Sequence, residues 1–160
     1  MQIGKTMRTM LLSFKADVYE RVISGEKIYE HRKVFPNEPV LAYLYVSAPV
    51  KAITGIMYLN NKQYLSEWKD KFSFDKDALK RINEYLKTQN VAMEISEFHE
   101  TSKIQLSTLR KDLSKFIVPQ MYYFIDDTPL LDYLHDNLIE TGYIIKHDFS
   151  NITSEQICIH

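Results

Sequence analysis

The chain has 160 residues, 45% of them hydrophobic, which suits one compact domain with a real core and argues against disorder as its main state. No apolar run approaches the roughly 18 residues of a membrane span, and residues 1–10 carry Lys5 and Arg8 without the apolar stretch of a secretory signal, so a soluble, cytoplasmic protein is expected. The net charge of −1 hides an asymmetry, with 19 Lys and Arg against 14 Asp and Glu in residues 1–120 and 1 against 7 in residues 121–160; so small an excess suits a polyanionic partner but excludes DNA coating by charge alone.

Met10, Leu11 and Leu12 lie in a run short enough to predict a buried strand over residues 7–15. Val18, Val22 and Ile23 then fall at helical spacing, with Asp17 placed as an N-cap and Gly25 as a left-handed C-cap. Beyond Gly25 the period changes to two: Ile28, Glu30, Arg32 and Val34 share one face, Lys27, Tyr29, His31 and Lys33 the other, and Pro36 and Pro39 bracket the loop that follows. Residues 40–47 and 50–59, rich in Leu, Val, Ile and Tyr and separated by Ala48-Pro49, predict two more strands. Asn60-Asn61 interrupts that pattern, and residues 61–90 turn to charged helix formers. There Ala78, Leu79, Ile82, Tyr85 and Leu86 make an apolar stripe behind Asp75 as an N-cap, so a helical insertion between strands is expected.

Alternation returns at residues 91–98, residues 107–113 read as a short helix, and residues 118–125 read as a loop feeding a final core strand. Thr128-Pro129 opens a helix that Gly142 is placed to end, and residues 143–160 are expected to add an edge strand and a frayed tail. With no repeat and no long linker, the expectation is a single domain over residues 1–160. Its core lies at about 7–125, its insertion at about 61–90, and a C-terminal helix and tail at 126–160.

Four glycines, Gly4, Gly25, Gly55 and Gly142, cannot build a phosphate-cradling loop or a dinucleotide fingerprint. The five histidines are scattered, and Cys158 with His160 makes only a two-ligand fragment, so neither a protein-bound metal nor a cofactor is expected. One stretch stands apart. In Gly25-Glu26-Lys27-Ile28-Tyr29-Glu30-His31-Arg32 a helix cap runs straight into a strand whose otherwise apolar face carries Glu30 and Arg32. Charges there must be paired or face a cleft. A buried carboxylate beside a guanidinium makes a rigid fork, and Lys27 at the strand entrance adds a mobile donor, a trio suited to a polar planar ligand. The plainer reading, which spacing alone favours, is a structural ion pair with a solvated lysine. Tyr43, Tyr45, Tyr122 and Tyr123 can stack on bases, but such rings are more commonly core residues with a bonded hydroxyl. The seven Lys and Arg of residues 62–87 read as a solvated helix face.

Ser13-Phe14-Lys15 before a short helix, then Gly-x-Lys-x-x-Glu-x-Arg at Gly25 to Arg32, then Tyr43-Leu44-Tyr45-Val46-Ser47-Ala48-Pro49-Val50 leading to Gly55, together resemble the ASCH family of the PUA-like superfamily. The resemblance continues in order through Ala92-Met93-Glu94-Ile95, Leu106-Ser107-Thr108-Leu109-Arg110 and Pro119-Gln120, and so spans residues 10–125. It implies an α+β fold, a small PUA-like mixed β-barrel with peripheral helices. It also implies a cleft between the first helix and the barrel, the family's proposed site for RNA or a nucleobase. Positions matching Lys15, Lys27, Glu30 and Arg32 line that cleft, and Ser47 and Gln120, from two further matching motifs, complete the expected ligand-binding set.

Some ASCH-like bacterial proteins are acetylcytidine amidohydrolases that use a Lys, a Thr and a Glu. Lys27 matches the lysine, Glu30 stands where the threonine would be, and residues 54–59 supply no glutamate; Ala16 and Met121 replace the proline and serine of many relatives. The resemblance therefore implies first a nucleic-acid-binding, in particular RNA-binding, domain with a polar cleft for a base or nucleotide, serving as a regulator of transcription or translation. One alternative is a hydrolase acting on a modified nucleoside or on RNA, with Lys27 and Glu30 as acid/base residues. Another is an interaction domain that offers the acids Asp126, Asp127, Asp132 and Asp136 to a protein partner.

Overall fold

In the computed structural model, which describes residues 7–160, one seven-stranded mixed sheet curls into a half-barrel with five α-helices around it among the described residues. Gly4 and Lys5 lie outside the described residues. The elements run β1 (Arg8–Phe14), α1 (Ala16–Ile23), β2 (Tyr29–Arg32), β3 (Val40–Val46), β4 (Ala52–Tyr64), α2 (Leu65–Lys71), α3 (Lys76–Leu86), β5 (Val91–Gln105), α4 (Leu106–Asp112), β6 (Tyr122–Phe124), α5 (Pro129–Asn137) and β7 (Glu140–Lys146). Strand order is β2-β5-β4-β3-β1-β6, with β7 paired to β5. Only β1 and β3 pair in parallel. A parallel pair needs a crossover, and the stretch through α1 and β2 provides it. No helix among the described residues is long and apolar enough to cross a membrane.

Every residue of β3 is buried, because helices cover the sheet on both faces and an unbroken apolar run is then stable. On one face Met10, Leu12 and Phe14 of β1, Ala42 and Leu44 of β3, Met57 of β4 and Ile95 of β5 pack with Val18 and Val22 of α1. On the other, Leu11, Tyr43, Tyr45, Ile56 and Tyr58 pack with Leu109 of α4 and Leu134 of α5, so Tyr43 and Tyr45 are core rings. A third cluster joins Trp68 of α2 and Ile82 of α3 to Ile28, Tyr29 and Ala92. Its helix α3 is capped as expected, the Asp75 carboxylate accepting from the Asp77 and Ala78 amides.

Several expectations are corrected. Helix α1 starts behind Lys15, not Asp17, whose carboxylate instead sits in the first turn against the helix dipole. Strand β2 stops at Arg32, leaving Val34 63% exposed, so the face shared by Ile28, Glu30 and Arg32 ends there. Asn60-Asn61 does not end β4. Asn61 takes a left-handed φ of 51°, which asparagine tolerates, and the register shifts while the strand continues to Tyr64. Strand β5 likewise runs on to Gln105. Strand β6 is half-buried at the end of the sheet path and not a core strand, and the edge strand expected after it begins at Glu140, ahead of residue 143. Helix α5, opened by the Thr128 cap and Pro129, ends at Asn137, and Gly142 lies inside β7. The tail is not frayed: Ser154–Gln156 forms a 3-10 turn, and Ile157 and Cys158 are buried in the third cluster.

Candidate functional site

The end of β1, the turn into α1 and residues Glu30, His31 and Arg32 of β2 enclose a cavity of about 580 Å³, within the range of small-molecule and nucleotide pockets. All six residues of the expected ligand-binding set, Lys15, Lys27, Glu30, Arg32, Ser47 and Gln120, line it. The backbone brings them together. Lys15 occupies the N-cap of α1 directly after β1. The Ser47 amide donates to the Phe14 carbonyl at 2.9 Å, which prolongs the parallel β1–β3 ladder and sets Ser47 beside Lys15. On the other side of β1, the Ser13 amide donates to the Met121 carbonyl at 2.9 Å, which fixes Gln120 at the same end.

Lys27 enters from below. Gly25, at φ +85°, ends α1 in the left-handed conformation expected of a C-cap, and the Lys27 amide then donates to the Arg21 carbonyl at 2.9 Å. That turn drives the Lys27 side chain inward until it is 3% exposed. Its Nζ lies 3.6 Å from Glu30 Oε1, 3.4 Å from His31 Nδ1, and donates to the Ile159 carbonyl at 2.9 Å. Lys27 is therefore not the solvated residue of the plainer reading. Arg32 donates from Nε to Glu30 Oε2 at 2.6 Å and from Nη2 to the Ser13 carbonyl at 3.1 Å, and Nη2 also ion-pairs with Glu30 Oε2 at 2.5 Å. The guanidinium thus ties β2 to β1 across the open seam of the half-barrel. The Glu30–Arg32 pair therefore braces the fold and also lines the cavity.

Burial pushes the Lys27 ammonium below its usual range, Glu30 opposes this, and Arg32 reinforces it. Burial also takes the His31 imidazole well below its ordinary value, and Lys27 and His160 press in the same direction. A neutral His31 that accepts at Nδ1 from Lys27 carries its proton on Nε2, and that atom is buried without a partner among the described residues. Tyr85 Oη is in the same condition.

Spacing did not reveal His31, Tyr85, Thr88, Gln89 or His160 as residues of this cavity. Tyr85 was visible only as one member of an apolar helix stripe, and the last residues as a tail. Among the lining residues four cations, Lys15, Lys27, Arg32 and Lys33, face one carboxylate, Glu30. A further cavity of about 460 Å³ is lined largely by apolar side chains, among them Leu113, Phe116, Ile117, Tyr123 and Leu130, and gathers no comparable polar network. Of the acids proposed for a protein partner, Asp126 is engaged internally, accepting from the Thr9 amide at 2.9 Å and Arg8 Nε at 3.0 Å. No group of three or more His, Cys, Asp or Glu among the described residues is placed to hold a metal.

No protein-family model matches the sequence, and no curated protein matches it. Among solved structures the chain is similar to the ASCH protein from Zymomonas mobilis, at 17% identity and a TM-score of 0.63 over 82% of this chain and 96% of that one. It is also similar to two variants of that protein. The serine-to-alanine mutant gives 17% identity and a TM-score of 0.59 over 80% and 95% of the two chains. The tyrosine-to-phenylalanine mutant gives 16% identity and a TM-score of 0.59 over 80% and 97%. The fold of this chain is thus the ASCH, PUA-like fold that the ordered motifs implied.

Proposed function

We propose that this chain is an ASCH domain that binds single-stranded RNA, with one nucleotide in the cavity between β1, α1 and β2. The observation that carries this reading is the cavity wall itself, a buried Lys27–Glu30–Arg32 network with exposed Lys15 and Lys33 at its mouth. A splayed base needs fixed donors and acceptors at depth, and its phosphates need cations in water. Fluorescence anisotropy with a labelled single-stranded RNA at two salt concentrations tests it. Binding should weaken with salt, and Lys15→Ala, which removes an exposed side chain, should weaken it about three- to tenfold and reduce the salt slope by roughly 0.7. Affinity indifferent to both would overturn the reading.

One observation favours hydrolysis as a second reading. Lys27 is buried, its ammonium is destabilised, and it lies 3.6 Å from a carboxylate. Against this, Glu30 is the one acidic side chain among the described residues lining the cavity, and Arg32 already holds its Oε2 through two nitrogens. Incubation with acylated nucleosides and with RNA separates the two readings: product formation that Lys27→Met abolishes supports hydrolysis, and unchanged substrate removes it.

A further inference from the structure

Residues 154–160 are anchored in the third apolar cluster by Ile157 and Cys158, and beyond that anchor Ile159 and His160 reach the cavity, where His160 is part of the lining. Arg81 donates to the Ser154 carbonyl at 2.5 Å, Arg21 to the His160 carbonyl at 2.5 Å, and Lys27 Nζ to the Ile159 carbonyl at 2.9 Å. Beneath them the fit is incomplete. His31 and Tyr85 line the cavity, and His31 Nε2 and Tyr85 Oη are buried with no hydrogen-bond partner among the described residues. A wall fixed in place for stability would leave few such groups, because buried donors without acceptors are destabilising. Cys158, within this segment, also takes a φ of 54°, which a residue with a side chain adopts at a cost. The segment therefore satisfies Lys27 while leaving neighbouring donors unpaired and its own backbone strained.

We propose that Ile159 and His160, beyond the core-anchored Ile157 and Cys158, form an intramolecular strap over the buried Lys27 end of the cavity, and that the Ile159 carbonyl holds on Lys27 the place a carbonyl-bearing base takes when it enters. The second half of this inference rests on the cavity being a nucleotide site; the first half does not. A base carbonyl on Lys27 would displace the strap and open His31 Nε2 and Tyr85 Oη to the remaining acceptors of the base. Ligand affinity would then be set partly by the strap, and anything that lifts it would tighten binding.

The chain supplies its own reporter. Cys158 is its only cysteine, is 4% exposed, and has its thiol pushed up to about 12 by burial, so it is unreactive while the strap is down. The experiment follows its modification by a disulfide reagent across low urea concentrations, in the wild type and in Arg21→Ala, with and without an oligouridine whose binding is read by anisotropy. A strap gives a modification rate that is flat in urea below the unfolding transition, rises several-fold in Arg21→Ala, and rises several-fold again with saturating oligouridine. A rate that follows the urea dependence of global unfolding, with Arg21→Ala altering it no more than it alters stability, makes the segment a fixed wall and overturns the strap. Oligouridine that binds and slows the modification or leaves it unchanged overturns the displacement while the binding reading stands. If oligouridine does not bind, the nucleotide reading of the cavity and the displacement fall together, and the urea series and Arg21→Ala decide the strap alone.

Discussion

At the scale of single residues the cleft turns on Glu30. Its side chain is 6% exposed and balances Arg32 and Lys27, which are 15% and 3% exposed. Removing one partner from a buried set leaves charge that water does not reach, so Glu30→Gln should destabilise the protein by about 3 kcal/mol in urea unfolding. Adding Lys27→Met to that variant should recover part of the loss, because the second change removes one of the stranded cations; simple additivity of the two substitutions would show that the charges are not coupled. His31 makes a different prediction. Its folded-state pKa lies well below the ordinary 6.5, through burial first and then Lys27 and His160. The unfolded chain therefore takes up a proton that the folded one refuses, and stability is lost as pH falls through 6.5. Burial gives His147 the same sign. His31→Gln should flatten the acid limb of the stability–pH curve, and an unchanged limb would assign it to other groups.

At the scale of elements, β7 depends on β5. Its residues are almost all exposed, and it pairs with Glu97, Phe98, His99 and Thr101 along one edge. His99 is the side-chain clasp, its Nδ1 2.6 Å from Glu140 Oε1 and its Nε2 2.8 Å from Glu97 Oε1. Burial alone would lower the His99 pKa, but hydrogen bonds from the ring to the Glu97 and Glu140 carboxylates outweigh it and raise the value. The sign is opposite to that of His31: the contribution is fully present below 6.5 and is lost as pH rises through the raised value. Hydrogen-exchange protection of Ile144 and Ile145, corrected for intrinsic rate, should fall over that range while protection of β3 holds. His99→Gln should remove the pH dependence and leave β7 weakly protected throughout.

Element for element, the sequence was most readable where a local rule had no competitor. The continuous apolar run made β3 a buried strand, and Asp75 and Thr128 announced their helices because a cap needs only its own next three residues. It was least readable where pairing decided the outcome. Asn61 ends a pattern on paper, yet the ladder to β5 carries the chain through its left-handed backbone, and Gly142 is absorbed into β7 because β5 offers an edge. The candidate site divides in the same way. Lys15, Ser47 and Gln120 converge because they flank neighbouring strand ends, and Lys27, Glu30 and Arg32 because one cap leads into one strand. Tyr85 and His160 come from a helix stripe and a tail, and no local spacing tells that packing will carry either to this wall.

At the scale of the whole molecule, the charge asymmetry becomes a difference between faces. Helix α1, which flanks the cationic cavity, packs on one face of the sheet, and α5, with exposed Asp132 and Asp136, packs on the other. A sheet and a helix layer of about 10–12 Å separate the two sides, more than the Debye length of about 8 Å at 0.15 M ionic strength but well within the roughly 30 Å at 0.01 M. The acids should therefore orient an approaching polyanion at low salt and have little influence at physiological salt. The double variant Asp132→Lys with Asp136→Lys should raise RNA affinity several-fold at 0.01 M and less than twofold at 0.15 M. An equal gain at both ionic strengths would mean that α5 touches the RNA directly. Binding would then wrap the molecule instead of entering one cleft, and the salt slope assigned to Lys15 would have to be divided between two surfaces.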